Sequence, residues 1–235
     1  MTGRAEDPDA FAAVLAAAAA AAGRRKSERT RLKLLAATAA LLDAAGDPAA
    51  LRVADIADRA GVAHGTFYRY FVDRPAAVEV VAAAFCDFLR TRLAAGRGGE
   101  EAGADRARAA TAAYVRAFRA NAGLMRCLLD LGDDQAPLRA RFEALNADWN
   151  AHTATAIARR RALRSPAEAA PADERSVAAL LPTAYALGGM VDAFLAELYL
   201  RRNPALAAFA TDEAAVVDLL TRLWHLGADG TANGG

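Results

Sequence analysis

Apolar residues recur along this chain at spacings of three and four, and nowhere in the strict alternation of a half-buried strand, so the pattern predicts an all-α fold. A helix is expected over about Glu28–Ala45, carrying Leu34, Leu35, Leu41 and Leu42. Val53, Ile56, Ala57 and Ala60 share one face of a short helix over Val53–Ala60, and a second short segment, Ala63–Tyr70, turns Phe67 and Phe71 inward. Pro75 suits the first turn of a further helix reaching about Ala95, whose Val78, Val81, Phe85 and Leu89 form its inner side. Beyond the glycine-rich break Gly96–Gly103, helices are expected over about Asp105–Ala120, Ala122–Leu131, Ala136–Leu163, Ala178–Leu200 and Asp212–Leu226. Leu138, Phe142, Leu145, Trp149 and Ala156 define one seam of the long helix after Pro137, and Ser165–Asp173, with Pro166 and Pro171, ends it. No repeat of 20 to 50 residues is visible.

The two short segments at 53–70 carry the first functional signal. Gly61 falls where the chain must leave a helix, a position where glycine takes the left-handed conformation without a side-chain clash, and Val62 plugs the angle that follows. The result is a helix-turn-helix whose second member turns His64, Gly65, Thr66, Tyr68, Arg69 and Tyr70 outward or sideways, a size and polarity that suit a major groove.

Charge supports that reading by its distribution. The whole chain of 235 residues carries a net charge of only +1, but residues 24–74 hold ten basic residues against six acidic ones. A cationic segment on a near-neutral remainder is the footprint of a protein that meets phosphates at one end. Arg24, Arg25, Lys26, Arg29, Arg31 and Lys33 form a basic arm abutting the helix-turn-helix, suited to phosphate or minor-groove contact. Residues 1–23 are an alanine-rich extension with only Phe11, Val14 and Leu15 to pack, expected to be mobile or frayed. The apolar tract Phe11–Ala22 is too short to span a membrane, and Glu6, Asp7 and Asp9 disfavour a secretory leader. Cys86 and Cys127 lack a partner at ligand spacing and read as reduced core residues of a cytoplasmic protein.

The run Ala60-Gly61-Val62-Ala63-His64-Gly65-Thr66-Phe67-Tyr68-Arg69-Tyr70-Phe71, followed by Asp73-Arg74, resembles the signature of the tetracycline-repressor (TetR) family, with motif similarity over roughly residues 29–78. Leu51 and Arg52 stand where the family usually has a Ser or Thr cap, His64 where Lys, Arg or Pro is common, Tyr70 where His or Tyr is common, and Arg74 where Lys is common. The resemblance implies a DNA-binding head at 24–74, a connecting helix at 75–95, a ligand-binding and dimerisation body at 104–226, and a flexible tail at 227–235. It implies a homodimeric transcriptional regulator, most often a repressor released from a palindromic operator by a hydrophobic effector. Base readout is expected from His64 and Thr66, with Ala63 and Gly65 permitting close approach, and phosphate anchoring from Thr30, Arg52, Tyr68, Tyr70 and Arg74. Arg74→Ala should weaken binding to all DNA alike, whereas Thr66→Ala should relax sequence preference.

Two further surfaces are expected. Val177, Leu181, Ala184, Gly188, Val191, Leu195 and Leu198 recur at four and three residues, a heptad-like stripe in which Ala184 and Gly188 would admit a partner helix. With Val216, Leu219, Leu220 and Leu223 it would build the four-helix dimer interface that the resemblance implies. Tyr114, Phe118, Met125, Leu128, Phe142, Leu145, Trp149, Tyr185, Met190 and Phe194 would line an apolar ligand site, with Asn146 and Asn150 as polar fixers. No Gly-x-Ser-x-Gly, His-Glu-x-x-His or P-loop occurs, and His64, His152 and His225 are scattered, so no enzyme, metal site or cofactor is expected. A helical carrier of hydrophobic ligands, without specific DNA recognition, is the rival reading.

Overall fold

The computed structural model describes residues 7–97, 103–131, 135–164 and 174–229. These form ten α-helices in the order α1 (Phe11–Ala20), α2 (Lys26–Ala45), α3 (Val53–Ala60), α4 (His64–Phe67), α5 (Arg74–Arg97), α6 (Gly103–Ala120), α7 (Ala122–Leu129), α8 (Ala136–Arg164), α9 (Glu174–Leu195) and α10 (Glu213–Asp229). No strand occurs among the described residues. The expected breaks at 96–103 and 165–173 lie largely or wholly outside them. So does most of the tail expected from residue 227, because α10 runs on to Asp229.

Two compact units account for the chain, one from Met1–Arg92 with Arg116–Phe142, the other from Leu93–Val115 with Glu143–Gly235. The head, connector and body read from the sequence do not map onto them one to one, since 116–142 cluster with the N-terminal segment.

In the first unit, Phe11–Ala20 of the alanine-rich extension forms a helix with specific packing partners, where a mobile or frayed segment was expected. Alanine contributes propensity, but α1 is held by a few specific side chains. Phe11 is buried against Phe85 and Phe88, with ring centroids 5.4 and 5.3 Å away. Asn121, itself buried, accepts from the Phe11 amide at 2.7 Å and donates to the Asp9 carbonyl at 2.7 Å, so one side chain secures the first turn of α1. The Asp9 carboxylate adds an ion pair to Arg116 at 3.2 Å. None of these partners is close in sequence, which is why the pattern of the extension alone did not reveal them.

Gly123 sits where α7 crosses α2. Its amide donates to Asp43 Oδ1 at 2.9 Å, so an α2 carboxylate caps the first turn of α7, where negative charge complements the helix dipole. Cys86 is buried and Cys127 half-buried. Burial pushes both thiols up to about 11, which leaves little thiolate for redox or metal chemistry.

The second unit closes around Ile157, Leu187 and Ala228, with Leu180, Met190 and Trp224 packed against them. Arg160 and Arg161, near the C-terminus of α8, clasp the end of α10. Arg160 Nε lies 2.5 Å from Asp229 Oδ1, and Arg161 Nε donates to the Ala228 carbonyl at 2.8 Å. The α8 seam is also corrected: Ala156 is exposed, and Ala154, Ile157 and Ala158 are the buried positions there. α9 continues as a π-turn over Ala196–Leu200, ended by Arg202 in the left-handed region at φ 50°. Together Glu174–Leu200 is long and apolar enough to cross a membrane by length and composition alone.

Candidate functional site

α3 ends in a complete Schellman motif, the hydrogen-bonded stop that a left-handed glycine allows. Gly61, at φ 66°, donates to the Asp58 carbonyl at 3.1 Å, and Val62 donates to the Ala57 carbonyl at 3.0 Å. The chain is thereby delivered to α4 through the extended Ala63. Only His64–Phe67 is regular α-helix. The expected segment to Tyr70 finishes in tighter turns, with Arg69 donating to the Thr66 carbonyl at 3.2 Å and Tyr70 to the Phe67 carbonyl at 2.9 Å. Four residues cannot sustain a helix by themselves. Phe67 and Phe71, both buried with centroids 5.4 Å apart, hold the segment from beneath.

On its outer side Ala63, His64, Gly65, Tyr68 and Arg69 are exposed, and Thr66 and Tyr70 are half-buried. Nothing lies within 4 Å of the place where a Gly65 Cβ would stand, so another backbone could approach there. The Tyr68 ring meets His64 edge-on at 5.5 Å and Phe67 at 5.4 Å, which fixes its aromatic body and leaves the residue 52 % exposed.

The other expected DNA contacts carry local partners. Arg52, the uncapped N-terminal neighbour of α3, binds Asp55 through Nε at 2.9 Å and Nη2 at 2.8 Å. That hydrogen bond raises the arginine further above its usual value and holds the Asp55 carboxyl below the usual range. Arg74 donates from Nη1 to the Ala49 and Leu51 carbonyls at 2.9 and 3.1 Å, bracing the turn before α3. Thr30 donates to the Lys26 carbonyl at 2.9 Å within α2.

Two groups of cations in this unit contrast. Arg24, Arg25, Lys26, Arg29, Arg31, Lys33, Arg59 and Arg69 pair with no carboxylate among the described residues, and Arg31 lies over the Phe71 ring at 5.9 Å. Arg90, Arg92, Arg116 and Arg141, on α5, α6 and α8, each face an aspartate. Arg59 and Arg69 were absent from the contacts expected from sequence. Their exposure and lack of a partner, visible only in three dimensions, make them candidates.

The expected ligand residues are distributed over both units. Phe118, Met125 and Leu128 are interior residues of the first unit, which also contains half-buried Phe142. In the second, Tyr114 stacks on Trp149 at 6.4 Å and donates to Asp192 Oδ1 at 2.5 Å. Asp192 is a residue that the apolar pattern passed over. Leu145, Asn146, Met190 and Phe194 are half-buried there, and Tyr185 is 49 % exposed.

The expected dimer stripe is corrected in part. Ala184, Leu195, Leu198, Val216 and Leu220 are buried within their own unit. A Cβ on Gly188 would stand 3.3 Å from Asn150 Oδ1 of α8, so the close approach that this glycine permits is made inside the chain. Val177, Leu181, Val191 and Leu223 are half-buried. The face of α9 left exposed is the neighbouring one, Ala178, Pro182, Tyr185, Ala186, Gly189 and Ala193. A 3.6-residue helix shifts slowly against a seven-residue stripe, which is how the two faces were confused.

Residues 34–76 match the profile of the bacterial regulatory proteins of the tetR family. No curated protein matches the sequence. Among solved structures the fold is similar to that of a transcriptional regulator from Pseudomonas aeruginosa PAO1, at 18% identity and a TM-score of 0.62, covering 89% of this chain and 94% of that one. It is similar also to a TetR-family transcriptional regulator from Bordetella parapertussis 12822, at 18% identity and a TM-score of 0.55, covering 86% and 96%. A third likeness is to the fatty acid degradation regulator FadR of Bacillus halodurans, at 13% identity and a TM-score of 0.59, covering 82% and 96%.

Proposed function

We infer, from the match of residues 34–76 to the tetR family of bacterial regulatory proteins, that this chain is a DNA-binding regulator acting as a homodimeric repressor. It would leave a palindromic operator when a small molecule enters its second unit. The observation that carries the DNA half is the set of unpaired cations around a groove-sized segment. An unpaired, solvated arginine loses little when it moves onto a phosphate, and it releases the counterions that drive the association.

The test is a titration of the purified chain against the DNA upstream of its own gene and against a scrambled duplex. Thr66→Ala should narrow the gap in affinity between the two. Arg69→Ala should weaken both equally and lower the salt slope by about one. Arg74 remains in the proposed contact set, but its two carbonyl bonds mean that Arg74→Ala also loosens the approach to α3. Equal loss of selectivity in the Thr66 and Arg69 variants would overturn the assignment.

Dimerisation through α9 and α10 is supported by the row of α9 residues left exposed within the chain, Ala178, Pro182, Tyr185, Ala186, Gly189 and Ala193. That face is built of small residues with one proline and one tyrosine, so a second helix can come close, and Leu226 of α10 is 66 % exposed. An acidic side chain at its centre should separate the copies. Ala186→Glu is expected to sediment as a single chain and to bind a palindrome roughly a hundredfold or more weakly, because the second half-site no longer adds to the first. A wild-type protein that sediments as a monomer at micromolar concentration would sink this interface.

A further inference from the structure

The second unit contains a carboxylate in need of a positive charge. Asp192 on α9 is half-buried, and the one side-chain hydrogen bond it receives among the described residues comes from the Tyr114 hydroxyl at 2.5 Å. No lysine, arginine or histidine pairs with it among the described residues, although the chain carries 29 lysines and arginines. Burial pushes its carboxyl above the usual range, the response of an acid whose charge is poorly compensated.

Asn150 on α8 is an independent sign of the same need. It is 6 % exposed, donates to the Asn146 carbonyl at 2.8 Å, and leaves its own Oδ1 without a donor. That oxygen points at Gly188, one helical turn before Asp192 on the same α9 face. Buried acceptors without donors are rare and costly, and this one faces α9 four residues before Asp192. The stacked rings of Tyr114 and Trp149 complete the surroundings with aromatic faces.

We propose that Asp192, Asn150, Tyr114 and Trp149 recognise an organic cation, an ammonium group carried on a hydrocarbon. An ammonium offers donors and no acceptor, so it can satisfy both oxygens at once, and its charge is attracted to aromatic faces. An alcohol brings a single donor and no charge, and a carboxylate meets repulsion from Asp192. This rests on the reading of the second unit as the effector-binding part, and it changes the effector from simply hydrophobic to amphiphilic and basic.

The test uses the full chain, without DNA, and a series of alkyl and arylalkyl primary amines with the alcohols and carboxylates of the same hydrocarbons. Calorimetric titration should rank each amine at least tenfold above its matched alcohol, with the carboxylates weakest. Asp192→Asn should abolish the tenfold preference while alcohol binding holds. Tyr114→Phe, which frees Oδ1, should keep the preference, and so reads the site even if the first variant folds poorly. Equal affinity of amines and alcohols, an unchanged preference in Asp192→Asn, or no binding anywhere in the series would overturn the inference. A separate shift assay on upstream DNA distinguishes the outcomes, because DNA binding that persists without amine recognition removes the ligand class and leaves the regulator.

Discussion

Gly123→Ala is expected to destabilise the protein by roughly 3 kcal/mol or more, a fall in Tm of about 6–12 °C for a chain of this size. A Cβ on Gly123 would stand 2.0 Å from the Asp43 carbonyl oxygen, 2.6 Å from its carbon and 2.7 Å from its Cα. All three are backbone atoms, so no rotamer change relieves the clash, and α2 and α7 must separate. Separation also lengthens the 2.9 Å bond from the Gly123 amide to Asp43 Oδ1, which caps α7. Gly65→Ala is the control, since its Cβ would meet nothing within 4 Å. Thermal unfolding followed by circular dichroism decides the matter: a Tm for Gly123→Ala within 2 °C of wild type would mean that the two helices do not cross in contact.

Gly123 also illustrates which parts of the structure were legible in the sequence. Helix existence and type came from periodicity, and α3 matches its expected span because its signals are local: apolar residues on one face, then a glycine stop. The outward residues of the short segment after it could be read for the same reason. Contacts between distant residues carry no such mark. Asn121 securing α1, Asp43 capping α7 and Arg160 clasping Asp229 join positions separated by 110, 80 and 69 residues. The dimer stripe is corrected only in part. Its spacing was real, but several of its apolar positions face their own unit, and the free face is marked by small residues that hydrophobicity patterns weight lightly. Asp192 was missed because a lone carboxylate in an apolar helix reads as an interruption until its neighbours are known.

Phe67→Ala should remove about 3–5 kcal/mol of stability and, with it, operator affinity. The argument turns on how little else holds the groove-facing segment. α4 has four residues, no side-chain cap at Ala63, and a tight turn after it, so its own hydrogen bonds cannot keep it helical. Phe67 is wholly buried, and Phe71 is its aromatic neighbour at 5.4 Å. Truncation to alanine leaves a ring-sized cavity directly beneath Thr66 and Tyr68, and the segment can relax into it only by changing the direction in which those side chains point. Phe67→Leu keeps most of the volume and should cost far less, with partial retention of DNA binding. Tm from thermal unfolding and affinity from fluorescence anisotropy on upstream DNA separate two mechanisms. Loss of affinity accompanied by a lowered Tm is the result expected of a supporting residue. Loss of affinity at an unchanged Tm would place Phe67 on the DNA, and would mean that the segment is not held from beneath by this ring.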